Sequence, residues 1–193
     1  MSHFFAYLDR LKLIRRWGLM RNTVTENDME HSMQTALIAH GLAALAKVRY
    51  QRDVDPEHVV MMALYHDVSE VITGDLPTPV KYKTPEIQDA YRSLEAHAKE
   101  QLLDMLPDDM KPYFQSYIQP DENTCEWQLV KAADRISAYL KCISEEKMGN
   151  REFLQAKATI LESLEANELP EVQDFMRDFV PSFSLSPDEL SKL

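Results

Sequence analysis

No stretch of this chain alternates apolar and polar residues for the length of a β-strand, and only four glycines interrupt its 193 residues. Helix-start signals recur instead, which points to an all-α domain. Asp55-Pro56-Glu57 and Thr84-Pro85-Glu86 each set a capping residue before a proline at the first helical position. Asn123 with Glu126, and Ser186 with Glu189, have the spacing of a capping box. These signals predict helices over roughly 3–14, 29–48, 56–71, 85–105, 108–118, 124–148, 151–167 and 171–179, with a short turn from 187. Within the second, Met33, Leu37, His40 and Ala44 recur at three- and four-residue steps and predict a buried stripe. Leu129, Ala133, Ile136, Leu140 and Ile143 do the same in the sixth. One stretch is irregular: Thr73-Gly74-Asp75-Leu76-Pro77-Thr78-Pro79-Val80, where Gly74 can end a helix and two prolines keep the following segment extended.

No internal repeat or linker divides the chain, and its length suits one domain with a core that needs no staples. The formal charge of −11 argues against a nucleic acid polymer as partner, because phosphate backbones call for a basic surface. A small phosphate ester needs only one locally positive pocket. Cys125 and Cys142 form no CxxC pair, the N-terminus lacks a basic and then apolar leader, and no apolar run is long enough for a membrane span. A cytoplasmic protein with buried thiols and no membrane partner is expected.

His66-Asp67 can offer an imidazole nitrogen and a carboxylate oxygen to one side of a divalent ion. Alone the pair is weak. Glu30-His31-Ser32 lies upstream and Lys131-Ala132-Ala133-Asp134-Arg135 downstream, so His31, His66, Asp67 and Asp134 come from different helices or helix ends, as a metal site in a helical bundle requires. Two imidazoles and two carboxylates suit Mn, Co, Fe, Ni or Zn. An ion there would polarise a phosphate and lower the pKa of an attacking water. Blander roles exist for each residue: a lone His beside an apolar stripe is usually a core residue, Asp134 beside Arg135 can be a surface acid, and His31 after Glu30 can serve its helix end. Glu70, three residues after Asp67, is expected on the same helix face and can act as a general base or simply be a helix-end acid. Asp75 sits in the irregular loop, well placed for substrate or for an ordinary turn. Arg15-Arg16-Trp17, near the end of the first helix, offers a phosphate cation and a flat ring, or only a basic helix end; Lys81 and Lys83 are alternative cations.

The order His, His-Asp, distant Asp resembles the HD-domain metal-dependent phosphohydrolases. A closer resemblance, to the bacterial 5′-deoxynucleotidases, is carried by His3-Phe4-Phe5, Leu11-Lys12-Leu13-Ile14, Arg16-Trp17, Leu19-Met20-Arg21-Asn22, Glu30-His31-Ser32, Tyr65-His66-Asp67, Ser69-Glu70, the loop from Thr73 to Tyr82, and Tyr139-Leu140-Lys141-Cys142. It runs from the first residues to Phe179-Val180-Pro181-Ser182-Phe183. The resemblance implies a single HD-domain helical bundle over 1–193, with a catalytic core spanning 28–145 and the N-terminal helix, residues 3–17, adding to the substrate pocket. It also implies a homodimer, hydrolysis of deoxyribonucleoside 5′-monophosphates, and a preference for Co2+ or Mn2+. Carried onto this chain, the metal ligands are His31, His66, Asp67 and Asp134. Arg16 orients the phosphate, Trp17 crowds the sugar's 2′ position, and Glu70 acts with the attacking water. Asp75, Leu76, Pro77 and Thr78 line the pocket, and Asp67 and Asp134 also face substrate. Gly18 departs from the family pattern, where proline is expected after Trp17, and so do the stretches Val48–Asp55 and Pro107–Asn123. An HD nucleotidase without deoxyribose selectivity, one acting on triphosphates, and a non-catalytic metal- and nucleotide-binding HD protein are the competing readings.

Overall fold

The computed structural model describes residues 1–192, and among them every regular element is helical, with one isolated bridge between Arg15 and Asn27. The helices are α1 (Phe4–Leu8), α2 (Asp28–Tyr50), α3 (Pro56–Tyr65), α4 (Glu70–Thr73), α5 (Thr78–Lys81), α6 (Pro85–Asp104), α7 (Lys111–Ile118), α8 (Cys125–Lys147), α9 (Leu154–Glu165), α10 (Pro170–Asp178) and α11 (Pro187–Leu190). None of them is long and apolar enough to cross a membrane.

Local chemistry explains most boundaries. Asp55 and Thr84 cap α3 and α6 ahead of their prolines, and Ser186 with Glu189 closes a capping box on α11. The box expected from Asn123 does not form: Thr124 caps α8 by accepting from the Trp127 N–H. A box that sequence spacing left unnoticed starts α2, where Asn27 and Glu30 bond each other's backbone N–H groups. The expected helix over 3–14 is shorter, giving way to a 3₁₀ turn over Asp9–Leu13. A 3₁₀ turn also precedes α9.

Helix α2 is the centre of the molecule, packed against α3, α8 and α10. Its core face is made of Leu42 and of Ala36, Ala39, Ala43 and Ala46, small residues that let α3 and α8 approach closely. The stripe expected from Met33, Leu37 and His40 faces outward instead: Met33 is 54% and Leu37 63% exposed, and only Ala44 is half-buried. Two neighbouring faces of α2 satisfy the same helical spacing, and alanine at the true interface gave the weaker apolar signal. At Gly41 a side chain would meet Phe175 at 2.9 Å, so α10 needs glycine there to lie on α2. A second cluster, with Phe4, Val68, Leu102, Leu106, Phe114 and Ile118, packs α1, α6 and α7.

Two departures shape the site. The helix expected over 56–71 stops at Tyr65, because the His66 imidazole bonds the Ala63 carbonyl and the chain tightens into turns with Val68 N–H on Tyr65 O and Glu70 N–H on Asp67 O. Beyond Gly74, whose φ of +72° ends α4, the proline segment is not extended throughout but winds into α5, with Pro79 in its first turn.

Candidate metal centre

His31 sits in the second turn of α2, His66 just past α3, and Asp134 midway along α8; their ligand atoms all lie within 4.8 Å of one another. His31 Nε2 is 3.1 Å from Asp134 Oδ1 and 3.6 Å from Asp67 Oδ2. His66 Nε2 is 3.0 Å from Asp67 Oδ2 and 3.9 Å from Asp134 Oδ1. Both imidazoles are buried.

The far side of each ring fixes its tautomer. His66 Nδ1 is 2.7 Å from the Ala63 carbonyl, which can only accept, so the proton is on Nδ1 and Nε2 presents a lone pair. Ser137 donates to Gln34 Oε1 at 2.7 Å, leaving its oxygen to accept from His31 Nδ1 at 3.1 Å. Two imidazole lone pairs therefore point at two carboxylates, and His66 Nε2 is buried with no hydrogen-bond partner. Such a set repels itself unless a cation sits among it. The donor chemistry fits a divalent ion held by His31, His66, Asp67 and Asp134.

Without an ion, a proton between ring and carboxylate plays the cation's part. Burial opposes ionisation of Asp67, yet His66 and Arg16 hold its carboxyl well below the usual range, and for Asp134 Lys131 and His31 do the same against burial; Asp67 in turn raises His66 against its own burial. Lys131 Nζ lies 3.1 Å from Asp134 Oδ2, and Arg16 Nη1 lies 3.1 Å from Asp67 Oδ2. Asp134 thus carries its cation on the outer oxygen, whereas Arg16 shares Asp67 Oδ2 with the two imidazoles.

Arg16 is not on a helix end, as its position in sequence led one to expect. It follows the 3₁₀ turn, in a segment that pairs with the start of α2 through Arg16 N–H on Glu26 O and Asp28 N–H on Ile14 O. Its guanidinium is mostly buried, 3.7 Å from Asp28 Oδ1 and 3.5 Å from Glu26 Oε2. Asp28 is fully buried with neither carboxylate oxygen hydrogen-bonded, and Glu70 Oε2 is also buried without a partner. Glu70 opens α4 one tight turn after Asp67 rather than continuing α3, and burial, then the charges of Asp67, Asp28 and Asp75, push its carboxyl well up. Burial likewise raises Asp75, with Arg16 opposing. Leu76 and Pro77 continue from it as half-buried residues, and Thr78, which opens α5, is exposed.

Trp17 takes a left-handed backbone, φ +58°, which is strained for a residue with a side chain. Its indole N–H donates to Glu26 Oε2 at 3.1 Å and its ring lies against Phe153 with centroids 5.2 Å apart. Gly18 does not set this geometry: it has no positive φ, and a side chain there would meet nothing within 4 Å. Of the alternative cations, Lys81 is tied to Glu95 at 2.7 Å. Sequence reasoning missed Asp28, Glu26 and Ser137. For Ser137 the three-residue step from Asp134 on α8 was an available signal; for Asp28 and Glu26 none was, because the turn over 17–27 follows no periodic pattern.

A family model for the 5′-deoxynucleotidase YfbR-like proteins matches residues 3–183. A 5′-deoxynucleotidase of Enterobacter sp. strain 638 is 50% identical over 99% of this chain and 96% of its own length, and one of Vibrio atlanticus strain LGP32 is 48% identical over 98% of each. Among solved structures, an HD-domain phosphohydrolase from Listeria innocua superposes with a TM-score of 0.81 at 23% identity, covering 98% of this chain and 92% of its own. The HD phosphohydrolase DatZ of cyanophage S-2L, solved with dA and one catalytic Zn2+ ion, gives 0.65 at 22% identity over 92% of this chain and 95% of its own. Both likenesses support the HD fold.

Proposed function

The chain belongs to the YfbR-like 5′-deoxynucleotidase family, and from that premise we propose how its own residues divide the work. It is a 5′-deoxynucleotidase, a phosphoric monoester hydrolase that converts a deoxyribonucleoside 5′-monophosphate to deoxynucleoside and phosphate. The observation that carries the reading of the site is the pair of buried imidazole lone pairs, His31 Nε2 and His66 Nε2, turned toward Asp67 and Asp134.

His31, His66, Asp67 and Asp134 hold one divalent ion, with Co2+ or Mn2+ favoured by the family likeness; the neighbour DatZ carries Zn2+. When bound, the ion supplies Lewis acidity toward the phosphate and makes a nearby water a stronger nucleophile. The remaining steps belong to the protein. Arg16, already against Asp67, orients the phosphate and offsets the charge that builds in the transition state. Glu70 takes the proton of the attacking water, a role supported by its buried Oε2, which has no hydrogen-bond partner of its own. Asp75, Leu76, Pro77 and Thr78 line the pocket, and Asp67 and Asp134 touch both ion and substrate. Trp17 is assigned the role of crowding a ribose 2′-hydroxyl and so favouring deoxyribose. The fixed indole, bonded to Glu26 and packed at a tilt of 57° against Phe153, supports that role.

We read residues 1–193 as one domain with its catalytic core over 28–145. Two free cysteines support a reducing, cytoplasmic setting. The exposed Met33 and Leu37, together with Phe179 and Phe183, form an apolar groove on the α2 and α10 side, and a second copy of the chain is its fitting occupant in the homodimer that the family likeness implies.

Comparing kcat/KM on dAMP and AMP with added Mn2+ or Co2+ tests the substrate reading. A clear preference for dAMP is expected, and equal values would remove the deoxyribose filter and leave a broader HD nucleotidase.

A further inference from the structure

The segment between Met20 and Val24 has no regular structure of its own, yet the Arg21, Thr23 and Val24 N–H groups and the Arg21 and Val24 carbonyls are all held by residues more than a hundred positions away. Glu145, in the last turns of α8, is completely buried and accepts from the Thr23 N–H at 2.9 Å and the Val24 N–H at 3.1 Å. Lys141, one turn earlier and also buried, bonds both Glu145 and the Val24 carbonyl. Asn150, in the turn after α8, donates to Glu145 Oε2 at 2.8 Å and to the Arg21 carbonyl at 2.7 Å. A buried ion pair costs desolvation and is a weak source of net stability, so a full set of partners spent on an irregular loop points to specificity of geometry.

That geometry reaches Trp17 by two routes. Asn22 Nδ2 donates to the Trp17 carbonyl at 3.2 Å and the Met20 carbonyl at 3.0 Å, closing the turn that keeps Trp17 left-handed. From below, Phe153, which carries the indole, follows Asn150 by three residues and lies 5.5 Å from Lys141 Nζ. Backbone and ring are therefore both fixed by the same end of α8, about two to three turns beyond Asp134.

We propose that Glu145, with Lys141 and Asn150, forms a clamp that holds Trp17 in its strained conformation and so sets the enzyme's discrimination at the 2′ carbon. Glu145 is a positioning residue in this role and touches neither ion nor substrate; the proposal rests on the reading of Trp17 as the sugar filter. Without the clamp, the left-handed Trp17 relaxes and the indole leaves its place over Phe153. A residue that mattered only for stability would lower activity on both sugars alike, whereas loss of the clamp acts through the ratio.

The experiment compares wild type, Glu145→Gln, the milder Asn150→Ala, Trp17→Ala and the Trp17→Ala/Glu145→Gln double variant, all with Mn2+. Two readouts are taken: the dAMP/AMP ratio of kcat/KM, and the Trp17 indole N–H resonance in 15N spectra, assigned by its absence in Trp17→Ala. Glu145→Gln is expected to lower the ratio about tenfold, mainly by improving KM for AMP, and to move or broaden the indole signal. Asn150→Ala shifts both in the same direction by less, and the double variant is no less selective than Trp17→Ala alone. An indole signal unchanged in Glu145→Gln and Asn150→Ala overturns the clamp. A shifted indole with an unchanged ratio, in a background where Trp17→Ala does lower the ratio, also overturns it. If Trp17→Ala leaves the ratio alone, the sugar-filter reading fails, and with it the claim about selectivity, while the indole signal still decides whether Glu145 positions Trp17.

Discussion

His66 Nδ1 is committed to the Ala63 carbonyl and His31 Nδ1 to Ser137, so both Nε2 atoms are turned toward the carboxylates before any ion arrives. Ser137→Ala is expected to weaken metal binding about 10- to 100-fold, read by calorimetric titration with Mn2+, because the ring then loses the partner that fixes its tautomer. Unchanged affinity would show that α2 packing alone orients His31. Glu70→Ala is expected to retain metal and nucleotide binding while turnover falls by at least about 10². Normal turnover would take Glu70 out of the chemistry. The ligand types were readable from residue order alone, since His31, His66, Asp67 and Asp134 stand in motifs. Their partners were not. Asp28 looks like an ordinary first-turn acid, and only the fold reveals that it is buried beside Arg16 with no hydrogen bond to either oxygen.

At the scale of elements, the capped helix starts were legible because a cap is a local event, written in three or four residues at Asp55, Thr84 and Ser186. The end of α3 was not, because a ring nitrogen on the Ala63 carbonyl, rather than a glycine or proline, stops the helix and turns Asp67 toward His66. Nor was the α8 clamp, whose pairs span more than a hundred residues; the one available hint was a Lys141–Glu145 step of four in an otherwise apolar stretch. That clamp has a pH signature. Against burial, Lys141, Asn150 and the Thr23 and Val24 N–H groups hold the Glu145 carboxyl down at about 2, below its ordinary 4.5. A carboxylate lowered on folding stabilises the protein above its unfolded value, and that contribution is lost as pH falls through the folded one. Acid unfolding followed by circular dichroism should therefore show wild type losing its advantage over Glu145→Gln between pH 4.5 and 2. A constant gap across that window would mean that the charge of Glu145 contributes nothing to the fold.

For the whole molecule, the face of α2 that sequence spacing assigned to the core turned out to be its open side. Met33, Leu37, Phe179 and Phe183 make a continuous apolar surface on a chain of net charge −11, and such a patch marks an interaction site. Sedimentation of Leu37→Glu is expected to show a monomer where wild type is a dimer; a dimeric variant would place the contact elsewhere. Dimer or monomer, the helices of the HD fold bring His31, the His66-Asp67 pair and Asp134 from three segments to one point beside Arg16, where we propose that they hold the ion. The most direct test of that claim is dAMP hydrolysis by chelator-stripped protein titrated with Mn2+, in wild type and Asp134→Ala, with bound metal measured alongside. The account predicts no turnover before addition, activity rising to a plateau at one ion per chain in wild type, and neither tight binding nor activity in Asp134→Ala. Full turnover without metal, or an Asp134→Ala variant that binds one ion and hydrolyses dAMP like wild type, would contradict it.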